Sequence, residues 1–81
     1  MLKYADFSVF PNPAAQQLNI TSLPGETYTY ALCNVQGIIV TKGTFDGSTS
    51  LDVAQLSEGL YILSLYNKEG ALLKVEKVIK N

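Results

Sequence analysis

The chain has no histidine, no tryptophan and no arginine: all six of its basic residues are lysines. Without imidazole, serine and cysteine triads of the usual kind lose their base, and metal sites lose their commonest side-chain ligand. Without guanidinium groups, and with a formal net charge of −1, nucleic acid is not an expected partner. Gripping a polyanion takes many neutralised phosphates, and forked contacts to phosphates and bases are mostly made by arginine. A single cysteine, Cys33, excludes an internal disulfide. It reads as a small apolar group, since a reactive thiol needs an activating base. Long apolar runs are missing too. The stretches Gly37–Val40 and Gly59–Leu63 fall far short of the ~20 residues that cross a bilayer, so membrane insertion is not expected. Met1 to Asp6 holds no apolar targeting core. The expectation is a cytoplasmic protein or a piece of a longer exported one.

Hydrophobic residues nevertheless make up 47% of the 81 positions, which is the composition of a folded domain rather than a disordered segment. A chain this short hides only about 60–65% of its unfolded surface, so one core must serve every element and little is left for a deep cleft. Residues 1–6 read as an N-terminal linker or cloning remnant, and residues 7–81 as one domain.

The apolar pattern has period two, as in strands whose side chains face alternate sides of a sheet. Strands are expected at Phe7–Phe10, around Leu18 and Ile20, at Tyr28–Cys33, Ile38–Lys42, Ser50–Val53, Leu60–Tyr66 and Leu72–Ile79. Leu60–Tyr66 is apolar on both faces at its start, which marks a central strand. Pro11 and Pro13 end the first strand by removing ladder donors. Asn34-Val35-Gln36-Gly37 fits a type I turn closed by a left-handed glycine, and Asn67-Lys68-Glu69-Gly70 repeats its polar spacing. Leu23-Pro24-Gly25 and Asp46-Gly47-Ser48 mark further turns. About seven short strands call for a small antiparallel immunoglobulin-like β-sandwich, with Leu18, Ile20, Leu32, Leu51, Val53, Leu56, Leu63 and Leu65 buried. A tyrosine corner, in which a hydroxyl bonds back to upstream backbone, fits either Leu56–Tyr61 or Leu23–Tyr28.

Candidate chemistry is thin. The acids Asp6, Glu26, Asp46, Asp52, Glu58, Glu69 and Glu76 mostly lie in or beside turns, so no catalytic pair is expected. Asp46-Gly47-Ser48-Thr49 lacks the oxygen count of a calcium loop. Asn19-Ile20-Thr21 matches a glycosylation acceptor pattern, but its place is inside a strand. No metal or organic cofactor is called for.

An ordered set of short boxes stands out instead: Phe10-Pro11-Asn12-Pro13, the Asn34 to Gly37 turn, Leu56-Ser57-Glu58-Gly59-Leu60-Tyr61, and a final strand bearing Lys74, Lys77 and Lys80. Together they resemble the type A C-terminal sorting domain of the type IX (Por) secretion system of Bacteroidetes, over roughly Phe7 to Lys80. That family has an aromatic-Pro-Asn-Pro box, an Asp-x-x-Gly turn, a Leu-x-x-Gly-x-Tyr box and a basic last strand. Asn34 replaces the usual aspartate, Ile38 a frequent basic residue, and Cys33 is unusual.

The resemblance implies a non-catalytic domain, covalently part of a larger cargo protein and read as a folded address by the type IX machinery. It also implies export through periplasm and outer membrane, and removal by a surface transpeptidase. On this reading the export signal belongs to the cargo's own N-terminus. The family-motif residues are Phe10, Pro11, Asn12, Pro13, Asn34, Gly37, Leu56, Gly59 and Tyr61. The hairpin Tyr61–Lys80 is the expected recognition element. Strict alternation puts Lys74 and Lys80 opposite an apolar side formed by Leu73, Val75 and Ile79, with Lys77 left on that side. Residues Lys77 to Asn81 are expected to be dispensable for folding. The alternative is a fibronectin-like or immunoglobulin-like spacer, or a carbohydrate-binding module, of an extracellular enzyme. Oligomeric state is not readable from the residues.

Overall fold

A computed structural model describes residues 7–81, so the linker assigned to residues 1–6 lies outside the described residues. Seven strands follow one another: β1 (Ser8–Phe10), β2 (Gln17–Thr21), β3 (Thr27–Asn34), β4 (Ile39–Asp46), β5 (Ser48–Asp52), β6 (Gly59–Asn67) and β7 (Leu72–Lys80). They form two antiparallel sheets, a three-stranded one ordered β1-β2-β5 and a four-stranded one ordered β4-β3-β6-β7. This is the expected β-sandwich. Its fourth strand lies beside β3 in the larger sheet, whereas constant-type immunoglobulin domains place theirs in the other sheet.

The core lies between the sheets and follows from alternation. Leu18 and Ile20 of β2 and Leu51 of β5 face Leu32, Leu63 and Leu65 of the larger sheet, and Val53 closes the layer. Central β6 buries Tyr61, Leu63 and Leu65, while the edge strands β4 and β7 give the core one side chain each, Phe45 and Val78. At one end Tyr28 meets the ring of Phe7 edge-on, with centroids 4.9 Å apart, and Phe45 on its other flank at 5.7 Å. Of the eight residues expected inside, seven are buried; Leu56 is only half-buried, packed against the rim of the core.

Three features differ from the sequence reading. First, β4 extends to Asp46 because Gly43–Asp46 pair with Thr27–Tyr30 of β3; the Tyr30 ring lies over Gly43, where an added Cβ would come within 2.8 Å of Tyr30 Oη. Second, Asp46-Gly47-Ser48 does not reverse the chain but hands it from one sheet to the other. Third, β7 alternates as expected but with its sides exchanged. Leu73, Val75, Lys77 and Ile79 face outward and are exposed, while Val78 and Lys80 are buried and Lys74 and Glu76 are half-buried. A strand at the sheet edge is governed by what covers it rather than by its own hydrophobicity.

Replacing Leu63 by alanine should cost about 2–5 kcal/mol, a large share of the stability of so small a domain. Urea unfolding followed by circular dichroism should show a β-rich native spectrum and a midpoint that falls steeply in the variant.

Candidate functional site at one end of the sandwich

Two hairpin turns share one local design. In the first, the Gly37 N–H donates to the Asn34 carbonyl at 3.0 Å, and Asn34 Oδ1 accepts from the N–H groups of Gln36 and Ile38 at 2.9 and 3.1 Å. In the second, Gly70 N–H donates to the Asn67 carbonyl at 3.0 Å, and Asn67 Oδ1 accepts from Glu69 and Ala71 at 3.0 and 2.9 Å. Both glycines have positive φ, 84° and 89°, a region that side chains with a Cβ rarely enter. The work is done by an acceptor oxygen, so asparagine serves at position 34 as an aspartate would.

Of the two candidate tyrosine corners, the structure forms the second in the chain. Tyr61, at the start of β6, donates its hydroxyl to the Ser57 carbonyl at 2.7 Å. Tyr28 is instead committed to the aromatic cluster with Phe7 and Phe45. A shallow depression between Asn34–Gln36 and Ser57–Tyr61 joins the turn to the corner, because Asn34 and Tyr61 are paired across β3 and β6.

The proline box reaches the same end from the other side. Both of its X–Pro bonds are cis, at Phe10-Pro11 and Asn12-Pro13. Between the two prolines, Asn12 aims its amide at the outer edge of β7: Nδ2 donates to the Lys77 carbonyl at 2.8 Å, and Oδ1 accepts from the Ile79 N–H at 2.9 Å. One side chain thus takes the place of a neighbouring strand's peptide group. Ala14, fully buried, continues the pairing: its N–H donates to the Ile79 carbonyl and its carbonyl accepts from Asn81 N–H, both at 2.8 Å, in a parallel bridge opposite Lys80. Lys80 in turn pairs with Gly59 of β6. The four separated boxes therefore lie side by side, in the spatial order Asn12–Ala14, the end of β7, Gly59–Tyr61, and Asn34–Gly37.

The three C-terminal lysines do not form one cluster. Lys74 sits 3.7 Å from Glu76 in a half-exposed pair on the inward side, and Lys77 projects outward. Lys80 is buried and donates from Nζ to the Asn81 carbonyl at 2.7 Å. With Val78 in the core, residues 77–81 hold part of the fold rather than an appendage to it. Pro11 and Pro13 end a strand as their sequence implies, whereas the bonding of Asn12 and Ala14 to β7 is not among the sequence expectations. The available signal was a polar side chain with free hydrogen-bonding capacity, held between two residues that have no N–H to give.

The sequence profile described as "Secretion system C-terminal sorting domain" matches residues 8–81, essentially the whole domain. The chain belongs to this family. Its members are non-catalytic sorting signals that cargo proteins carry for the type IX machinery, and the signal implies export to the cell surface or secretion. No curated protein matches the sorting domain.

Asn12→Ala removes two hydrogen bonds and should cost about 1–3 kcal/mol. Amide hydrogen exchange is expected to show faster exchange at Ile79, with the Asn67–Gly70 turn unchanged. Tyr61→Phe, which leaves the Ser57 carbonyl without its partner, should lower the unfolding free energy by about 1 kcal/mol in denaturant titration.

Proposed function

We propose that this domain is a folded, non-catalytic address, covalently carried by a larger cargo, moved through the periplasm and across the outer membrane, and cut off at the surface by a transpeptidase. The observation that carries this reading is the convergence of the boxes. Segments far apart in sequence meet at one end of the sandwich only once the chain has folded, so a reader that touches this end senses the folded domain rather than a linear peptide. The family-motif residues Phe10 to Pro13, Asn34, Gly37, Leu56, Gly59 and Tyr61 act mainly by building that end. Of the lysines, Lys74 and Lys77 are accessible for recognition, whereas Lys80 supports the fold.

A carbohydrate-binding module would present several aromatic rings on one exposed face. Here Phe7, Tyr28, Phe45 and Tyr61 are buried, Tyr30 and Tyr66 are partly buried, and Phe10 stands exposed by itself among the described aromatic residues. The spacer reading has no comparable observation in its favour.

The direct test fuses the domain to a fluorescent protein bearing an export signal, in a bacterium with a type IX system. The reporter should appear on the surface or in the medium with the domain removed, as read by the mass of the released protein, and should stay in the periplasm when the translocon is deleted. Equal release without the domain overturns the reading. Deleting residues 77–81 should abolish release by unfolding the domain, since Val78 and the Asn12 contacts go with them.

A further inference from the structure

The two outer faces of the sandwich are chemically unlike. On the three-stranded sheet the outward positions of β2 and β5 are Gln17, Asn19, Thr21, Ser48, Ser50 and Asp52, the polar surface expected of a solvated sheet face, with Phe10 of β1 as the single large apolar side chain beside them. On the four-stranded sheet one end of the outer face is largely apolar, while Thr27, Thr29, Thr44 and Asp46 make the other end polar. Register places Ile39, Cys33, Ile62 and Lys77 in one row across all four strands, and Lys42, Ala31, Ser64 and Val75 in the next; Leu60 and Ile79 pair beside them. Ile39, Val75 and Ile79 are each about half exposed, at 51%, 51% and 46%. A contiguous apolar surface of this kind marks an interaction site.

Charge narrows the occupant. Each edge strand contributes one outward lysine, Lys42 from β4 and Lys77 from β7, so two cations bracket the apolar rows at a lateral separation of roughly 15 Å, three strand spacings. The acid on this face, Asp46 at the far end of β4, is already engaged by the Gly25 N–H at 3.0 Å. A second copy packed face to face would bring two lysines and apolar groups to this face against a single strand carboxylate, Asp46, at its far end, a poor charge match. Strand addition at the C-terminal half of β7 is closed as well, because Asn12 and Ala14 occupy that edge.

We propose that the outer face of the four-stranded sheet is where the domain is read, by a partner protein whose apolar surface carries carboxylates placed over Lys42 and Lys77. This rests on the sorting-signal reading and names the surface and partner chemistry that it uses. The interaction is packing of the sheet face with charge-guided orientation, not strand addition at the occupied C-terminal half of β7.

The test uses the same reporter fusion. Two double variants alter the face: Lys42→Glu with Lys77→Glu, and Val75→Thr with Ile79→Thr. A control alters the opposite sheet, Gln17→Glu with Ser50→Glu. Both face variants should slow release about tenfold or more, with thermal unfolding midpoints close to that of the parent, while the control and Lys42→Arg with Lys77→Arg are released at the parent rate. Parent-rate release of both face variants, or an equal loss in the control, overturns the proposal. If the unaltered fusion is not released, the sorting reading itself fails, which is a separate outcome. Sedimentation of the purified domain should show a monomer. A dimer dispersed by Val75→Thr with Ile79→Thr would assign the face to a second copy and overturn the proposal, as would lysine-dependent binding to phosphatidylglycerol vesicles.

Discussion

The outer edge of β7 carries backbone donors and acceptors that have no strand beside them, and an exposed row of that kind invites pairing with other chains. This domain meets the demand with its own opening segment. Asn12 bonds to Lys77 and Ile79, and Ala14 to Ile79 and Asn81, so the first and last stretches of the described chain are joined. The positions of the other boxes follow from this closure. Lys80 is held against Gly59, Gly59 leads into the corner made by Tyr61, and Tyr61 is paired with Asn34 at the mouth of the first hairpin. Prolines on both sides of Asn12 suit the task, since neither has an N–H to satisfy and only the asparagine side chain has to reach the strand.

The wider sheet has a second consequence. Its edge strands reach past the narrower sheet and each supply the core with one side chain, so hydrophobic content in β4 and β7 is not a guide to burial. In β7 the buried positions include a lysine, and the outward ones include Leu73, Val75 and Ile79. Apolar residues retained on a solvent face, while the opposite sheet keeps a polar one, separate the part of the surface that contacts water from the part that meets a partner.

Much of this was legible in the residues because it depends on local rules. Period-two alternation located all seven strands, and the Asn-x-x-Gly spacing located both hairpins with their left-handed glycines. Seven of the eight chosen core residues are buried because they sit on central strands or directly beneath them. What could not be read depends on tertiary neighbours. The sides of β7 were exchanged because an edge strand's own pattern does not say which layer lies below it. Tyr28 and Tyr61 have similar flanking sequences, and only the packing of Phe7 and Phe45 decides which of them joins a cluster and which turns the corner. The Pro-Asn-Pro box shows an asparagine amide with bonds to make, but not that its partners lie more than sixty residues away on the edge of β7.

That long closure bears on when the domain can exist. A ribosome that has released residues 7–71 has produced β1 to β6 but no partner for Asn12, no Val78 for the core and no neighbour for the outer side of β6. The strand that completes the sheet is the last of the seven to be synthesised. A cargo whose translation stops before β7 therefore has no finished address to present, so the fold makes dispatch conditional on synthesis having run through that strand.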